Sequence, residues 1–149
     1  MVLMRSFMAE ALTEAEAAAE RGEIPVGAVV VKGGVVLARA GNRVEEWRDP
    51  TAHAEIVAMQ AAAQAMGDAR LDGCDLWVTL EPCPMCAAAI SLFHIARLYF
   101  GAYDPKGGGV DHGPRIFEQT TCHHRPEVAG GFEERRAAAL LRAFFRDRR

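Results

Sequence analysis

The sequence predicts an α/β protein, a layered sheet carrying helices on both faces. Two observations predict it. Short β-branched runs alternate along the chain with longer stretches whose apolar residues recur every three or four positions, and strands alternating with helices are the pattern of layered α/β domains. At 149 residues the chain also has the size of one ordinary domain, enough to bury a core without disulfides. No linker, repeat or low-complexity segment divides it, so positions 1–149 are expected to form a single domain.

Met4–Arg21 is rich in Ala, Glu, Leu and Met, with Met8, Leu12, Ala15 and Ala19 at helical spacing and Gly22 as a stop; it predicts an amphipathic first helix. Met4 and Met8 are read as core. Val26–Val31 and Val35–Ala38 flank Lys32-Gly33-Gly34 and predict a hairpin. Glu45–Pro50 reads as a polar loop, after which Asp49 or Thr51 is suited to cap a helix over about Ala52–Met66, ended by Gly67. Asp75–Leu80, apolar in its interior but for Thr79, predicts a strand central in the sheet. A helix opens at Pro84, where the missing N–H of proline costs nothing. Leu98–Ala102 is the fourth strand, Asp104–Gly113 a glycine-rich loop, Glu127–Ala129 a short fifth strand, and Phe132–Arg146 the last helix.

The net charge of −3 gives no support to nucleic-acid binding. Its distribution is more informative: from Glu133 to Arg149 there are six arginines against three acids. Such a cluster can meet phosphates, although arginine near a helix C-terminus also complements the helix dipole. No apolar run approaches membrane-spanning length. Of the four cysteines, Cys83 and Cys86 form a Cys-x-x-Cys pair while Cys74 and Cys122 are isolated, which is unlike a disulfide framework and points to a reducing, cytoplasmic setting.

Two short motifs carry the chemistry, His53-Ala54-Glu55 and Pro82-Cys83-Pro84-Met85-Cys86. Cys83 and Cys86, three residues apart across a helix start, can bind one ion from the same side, and a helix N-terminus favours their thiolates. His53 adds a third ligand. A zinc ion with three protein ligands keeps its fourth position for water, whereas a structural site fills all four. Glu55, two residues beyond His53, is placed to shuttle protons and not to ligate. The expected reaction is hydrolytic deamination: Glu55 takes a proton from zinc-bound water, passes it to a ring nitrogen and then protonates the leaving amine. The order His-x-Glu then Pro-Cys-x-x-Cys resembles the signature of zinc-dependent nucleobase deaminases. Competing readings are a structural zinc site completed by Cys122-His123-His124, a second metal at those three residues, and a noncatalytic zinc-stabilised binding module. Cys74 is read as a small buried residue, His94 and His112 as polar packing or surface, and Trp47 and Trp77 as either core or base-stacking.

Further blocks surround these motifs: Glu23-Ile24-Pro25-Val26-Gly27-Ala28-Val29, Gly41-Asn42-Arg43, Asp49 to Ile56, Val78 to Ala87, and the ending Phe144-Phe145-Arg146-Asp147-Arg148-Arg149. Over nearly the whole chain the sequence resembles the bacterial tRNA-specific adenosine deaminases of the cytidine deaminase superfamily. The resemblance implies a cytidine deaminase-like three-layer α/β/α sandwich on a mixed five-stranded sheet, one Zn²⁺ per subunit, a homodimer, and conversion of the wobble adenosine of a tRNA anticodon stem-loop to inosine. It implies zinc at His53, Cys83 and Cys86, and proton transfer by Glu55. It further implies contacts to the flipped nucleotide from Asn42 and Ala54, to the RNA backbone beside it from Asp104, to phosphates from Lys106, Arg146, Arg148 and Arg149, and to the anticodon loop from Phe144 or Phe145, with residues 132–149 as the RNA-contacting element. The chain departs from the family at Pro105–Gly113, where Asp111 and extra glycine replace an alanine- and serine-rich segment, and at Glu118-Gln119, where a histidine pair is expected. A deaminase of a free base or nucleoside, such as guanine, cytosine or cytidine, would share the same zinc core.

Overall fold

The computed structural model describes residues 5–148; Met4, expected in the first helix and core, and Arg149 lie outside them. In chain order the elements are α1 (Met8–Glu20), β1 (Gly27–Lys32), β2 (Val35–Gly41), α2 (Val44–Trp47), α3 (Ala54–Met66), β3 (Cys74–Leu80), α4 (Pro84–Leu92), β4 (Arg97–Ala102), a 3₁₀ turn (Ile116–Glu118), β5 (Glu127–Ala129) and α5 (Glu134–Asp147). The strands form one sheet in the order β2-β1-β3-β4-β5. β1 runs antiparallel to β2 and β3, and β3, β4 and β5 are mutually parallel, so the sheet is mixed and five-stranded as expected, with β3 at its centre.

Alternation along the inner strands divides the core into two layers. Val30, Leu76, Val78, Leu98 and Phe100 face α3 and α4, meeting Ala58, Met59, Ala62 and Ile90. Val29, Val31, Trp77 and Tyr99 face the other way, toward Met8 and Leu12 of α1 and Ala137 of α5. Trp77 is buried there, stacked on Tyr99 at 4.1 Å between ring centroids with Phe132 edge-on at 5.1 Å, which settles it as core. α1 sits close on the hairpin because Gly27 and Gly41 lack side chains: a Cβ on Gly27 would fall on the Ala11 carbonyl oxygen and lie 2.6 Å from the Ala15 nitrogen.

Several expected boundaries move. Residues 5–7 are not helical, and α1 begins at Met8 with Phe7 as N-cap. β2 runs on to Gly41, three residues past the expected end, because its pairing with β1 continues to Gly27↔Gly41. The Glu45–Pro50 loop contains most of α2, a single helical turn too short to show periodicity. α3 begins at Ala54, and neither Asp49 nor Thr51 caps it: Asp49 turns its carboxylate onto the Thr51 backbone N–H at 2.8 Å and hydroxyl at 2.6 Å. α5 spans Glu134–Asp147, shifted one or two residues from the expected bounds. Among the described residues, no helix is long and apolar enough to cross a membrane.

Candidate metal centre and pocket

The site forms where β2, β3 and β4 run out and β1 begins, all at one end of the sheet. There α3 and α4 also start. His53 is the N-cap residue of α3 and Cys83 that of α4, both with extended backbone, and Pro84 takes the first helical position. Cys86 lies within the first turn of α4, fully buried. The imidazole Nδ1 of His53 lies 3.6 Å from Cys83 Sγ and 3.5 Å from Cys86 Sγ. Zinc bonds of about 2.0 Å to nitrogen and 2.3 Å to sulfur at a tetrahedral angle imply an N···S edge of about 3.5 Å, so the donor atoms stand at the spacing a tetrahedral zinc requires. These three residues are the metal-ligating cluster found among the described residues.

The protonation pattern of the donors matches that use. A hydrogen bond from Cys86, with His53 adding to it, pulls the Cys83 thiol down to about 4. Cys86 is pushed up, first by its bond to Cys83 and then by burial, and His53 is raised by its bond to Cys83. Two thiol groups beside an imidazole form a set from which a divalent cation displaces protons, leaving two thiolates.

Glu55, in the first turn of α3, is 4% exposed. Burial pushes its carboxyl up to about 7, a range suited to moving protons at neutral pH; the charge of a bound cation acts in the opposite direction. It lines, with His53 and Cys83, a cavity of about 840 Å³. Asn42, Asp104, Phe144, Phe145 and Arg148 line the same cavity. Asn42, at the end of β2, is buried, and its Oδ1 accepts the Ala54 backbone N–H at 2.7 Å. That bond satisfies an otherwise orphan donor at the start of α3 and locks the segment holding His53 and Glu55. With the oxygen committed, the amide nitrogen of Asn42 is the group free to meet a ligand. Phe144 and Phe145 meet edge to face at 5.5 Å, and the Arg148 guanidinium lies 4.3 Å over the Phe144 ring.

The remaining expected site residues stand elsewhere. Ala54 is buried behind the cavity, and its backbone N–H is taken by Asn42. Lys106 and Arg146 are exposed outside the cavity lining, Arg146 beside Asp147 at 3.7 Å; Arg149 lies outside the described residues. Cys122 and His124 fold back on α4: Ser91 Oγ donates to the His124 carbonyl at 2.7 Å and the Cys122 thiol reaches the same carbonyl at 3.2 Å, so these residues tie a loop down. Trp47 is 51% exposed.

Sequence reasoning missed two buried carboxylates that also line the cavity, Glu23 and Glu81, each 1% exposed. Burial alone would raise Glu81, but hydrogen bonds from Asp104, His112, Val110 and Asp111 hold it below the usual carboxylate range. A signal for both exists: each is a charge set directly against strand-like apolar sequence and within two residues of a proline, Glu23-Ile24-Pro25-Val26 and Leu80-Glu81-Pro82.

Comparison with known proteins agrees with this geometry. Residues 1–102 match the family model described as the cytidine and deoxycytidylate deaminase zinc-binding region. A tRNA-specific adenosine deaminase from Agrobacterium fabrum is 57% identical over 96% of this chain and 94% of its own. A solved structure from a study of A-to-I editing by tRNA:A34 deaminases at the wobble position of transfer RNA superposes with a TM-score of 0.90 at 57% identity, covering 91% of this chain and 98% of that one. Guanine deaminase from Nitrosomonas europaea shares the architecture at a TM-score of 0.81 and 25% identity, over 97% of this chain and 86% of its own. With zinc-spaced donors at two helix starts and relatives matching almost end to end, the chain belongs to the tRNA-specific adenosine deaminase family, within the zinc-binding cytidine and deoxycytidylate deaminases.

Proposed function

We propose that this protein hydrolyses the wobble adenosine of a tRNA anticodon stem-loop to inosine, releasing ammonia. The observation that carries the proposal is the composition of the cavity: a proton-transferring carboxyl and zinc-spaced donors inside, with two phenylalanines and an arginine from α5 on its lining. A pocket for a small free base has little use for such a tail, whereas a base presented on a polymer must be accompanied by its phosphates and neighbours, and loop bases leave their stack most cheaply.

His53, Cys83 and Cys86 would hold zinc, which when bound supplies an acidified water as nucleophile. Glu55 would accept one proton from the attacking water and deliver it to the ring nitrogen beside the attacked carbon, then take the second from the added hydroxyl and give it to the amine, which leaves as ammonia. The Asn42 amide nitrogen orients the flipped nucleotide, and Asp104 holds the backbone beside it. Phe144 and Phe145 offer faces to adjoining bases, and Arg146, Arg148 and Arg149 with Lys106 meet phosphates. The same reading takes 1–149 as a single domain acting as a homodimer in the cytoplasm, as the family resemblance implies.

The test is incubation with a stem-loop bearing adenosine at the wobble position, in parallel with guanine, cytosine, adenosine and cytidine, with inosine and ammonia measured. Inosine from the stem-loop alone, abolished by Glu55→Ala with zinc retained, is the expected result. Ammonia from a free base beside an unreacted stem-loop would keep the chemistry and overturn the substrate.

A further inference from the structure

Glu23 and Glu81 both line the cavity, one just before β1 and the other just after β3. A buried carboxylate without partners is costly, and here the partners are backbone N–H groups of α2 and of the 104–113 loop. Glu23 Oε1 accepts from Glu45 N–H at 3.0 Å and Oε2 from Glu46 N–H at 2.9 Å. Glu81 Oε1 accepts from Asp104 N–H at 3.0 Å and from His112 Nδ1 at 2.8 Å. Its Oε2 accepts from three successive amides, Val110 at 3.2 Å, Asp111 at 3.0 Å and His112 at 3.1 Å.

The 104–113 loop is built to wrap this carboxylate. A Cβ on Gly108 would fall on Glu81 Oε2, and one on Gly109 would lie 2.6 Å from the Pro84 backbone. Gly108 and Gly109 are thus places of close approach. The segments held line the cavity, through Val44 and Glu45 near Glu23 and through Asp104 and Gly107 near Glu81.

We propose that Glu81 and Glu23 are positioning residues, each clasping one wall of the substrate cavity through backbone N–H groups, with His112 completing the Glu81 clasp. Their effect on substrate rests on the deaminase reading; the clasping itself does not. In Glu81→Gln the amide NH₂ faces donors that the carboxylate accepted, so the 104–113 wall loosens while the zinc donors, carried by α3 and α4, stay in place.

Hydrogen exchange, zinc stoichiometry and steady-state kinetics test this together. Glu81→Gln should speed exchange at Asp104, Val110, Asp111 and His112 by about tenfold or more, leaving the amides of Val30 and Trp77 as they were. Glu23→Gln should do the same at Glu45 and Glu46 only. Zinc should remain at the wild-type ratio. KM for the stem-loop should rise about tenfold in either variant with kcat within about threefold. His112→Ala should give a smaller version of the Glu81→Gln effect. His112→Asn, whose amide nitrogen occupies the place of Nδ1, should restore it; this pair also carries the test if Glu81→Gln fails to fold. Unchanged exchange at the named amides, exchange that rises equally in β1 and β3, loss of zinc, or a fall in kcat at constant KM would each overturn the proposal. If the wild type is inert on the stem-loop, the tRNA substrate reading falls, and the exchange result still decides the clasp.

Discussion

The proposed function gives Asn42 two tasks, one for each half of its amide, and substitution can separate them. Its Oδ1 accepts the Ala54 N–H at 2.7 Å in a buried setting, which is a helix cap supplied from a neighbouring strand. Asn42→Ala removes the acceptor and leaves that donor unpaired, a loss of about 1–2 kcal/mol. For a chain of this size that lowers Tm by about 2–8 °C. The same substitution removes the amide donor in the cavity. A hydrogen bond of about 1.4–2.8 kcal/mol to a buried substrate group corresponds to about a 10- to 100-fold fall in kcat/KM. Asn42→Asp keeps an oxygen for the Ala54 N–H but has no NH₂ to offer. It should therefore lose less stability than Asn42→Ala while losing at least as much activity. Thermal denaturation followed by circular dichroism, and initial rates on the stem-loop, give both quantities. Wild-type kcat/KM in Asn42→Asp, or wild-type Tm in Asn42→Ala, would refute the division.

Chelation of the metal should abolish turnover while leaving a cooperatively folded protein, because both core layers are packed by apolar side chains independent of the zinc donors; far-UV circular dichroism of the chelated protein showing an unfolded chain would contradict this. Gly27→Ala should lower Tm by about 4–12 °C, since the new methyl meets α1 backbone that cannot yield as a flexible side chain would and overpacking costs about 2–3 kcal/mol. The same variant should bind zinc normally by metal analysis, the strain falling on the layer opposite α3 and α4.

Much of this arrangement was legible from the sequence because local pattern and local chemistry coincide. Val29 and Val30 point to opposite layers of an inner strand, and both being apolar announced a sheet covered on two sides. His53, Cys83 and Cys86 announced themselves by type and spacing, and the starts of α3 and α4 bring them together. What stayed hidden depends on backbone donors far away in sequence. No periodicity marks Glu81 as the anchor of amides 23 to 31 residues on, nor Asn42 as the cap of a helix twelve residues later. Even α2 escaped, because one helical turn held by Glu23 leaves no repeat to detect.

The cavity draws on both layers of the sandwich. Its zinc donors and Glu55 come from the helices on one side of the sheet, whereas Phe144, Phe145 and Arg148 arrive on α5 from the other. The two contributions meet at the sheet's end without sharing a core. The lining groups at the C-terminus and the zinc-spaced donors thus sit on separate packing layers, so residues of α5 can be exchanged or redesigned at the cavity while the donors beneath stay in place.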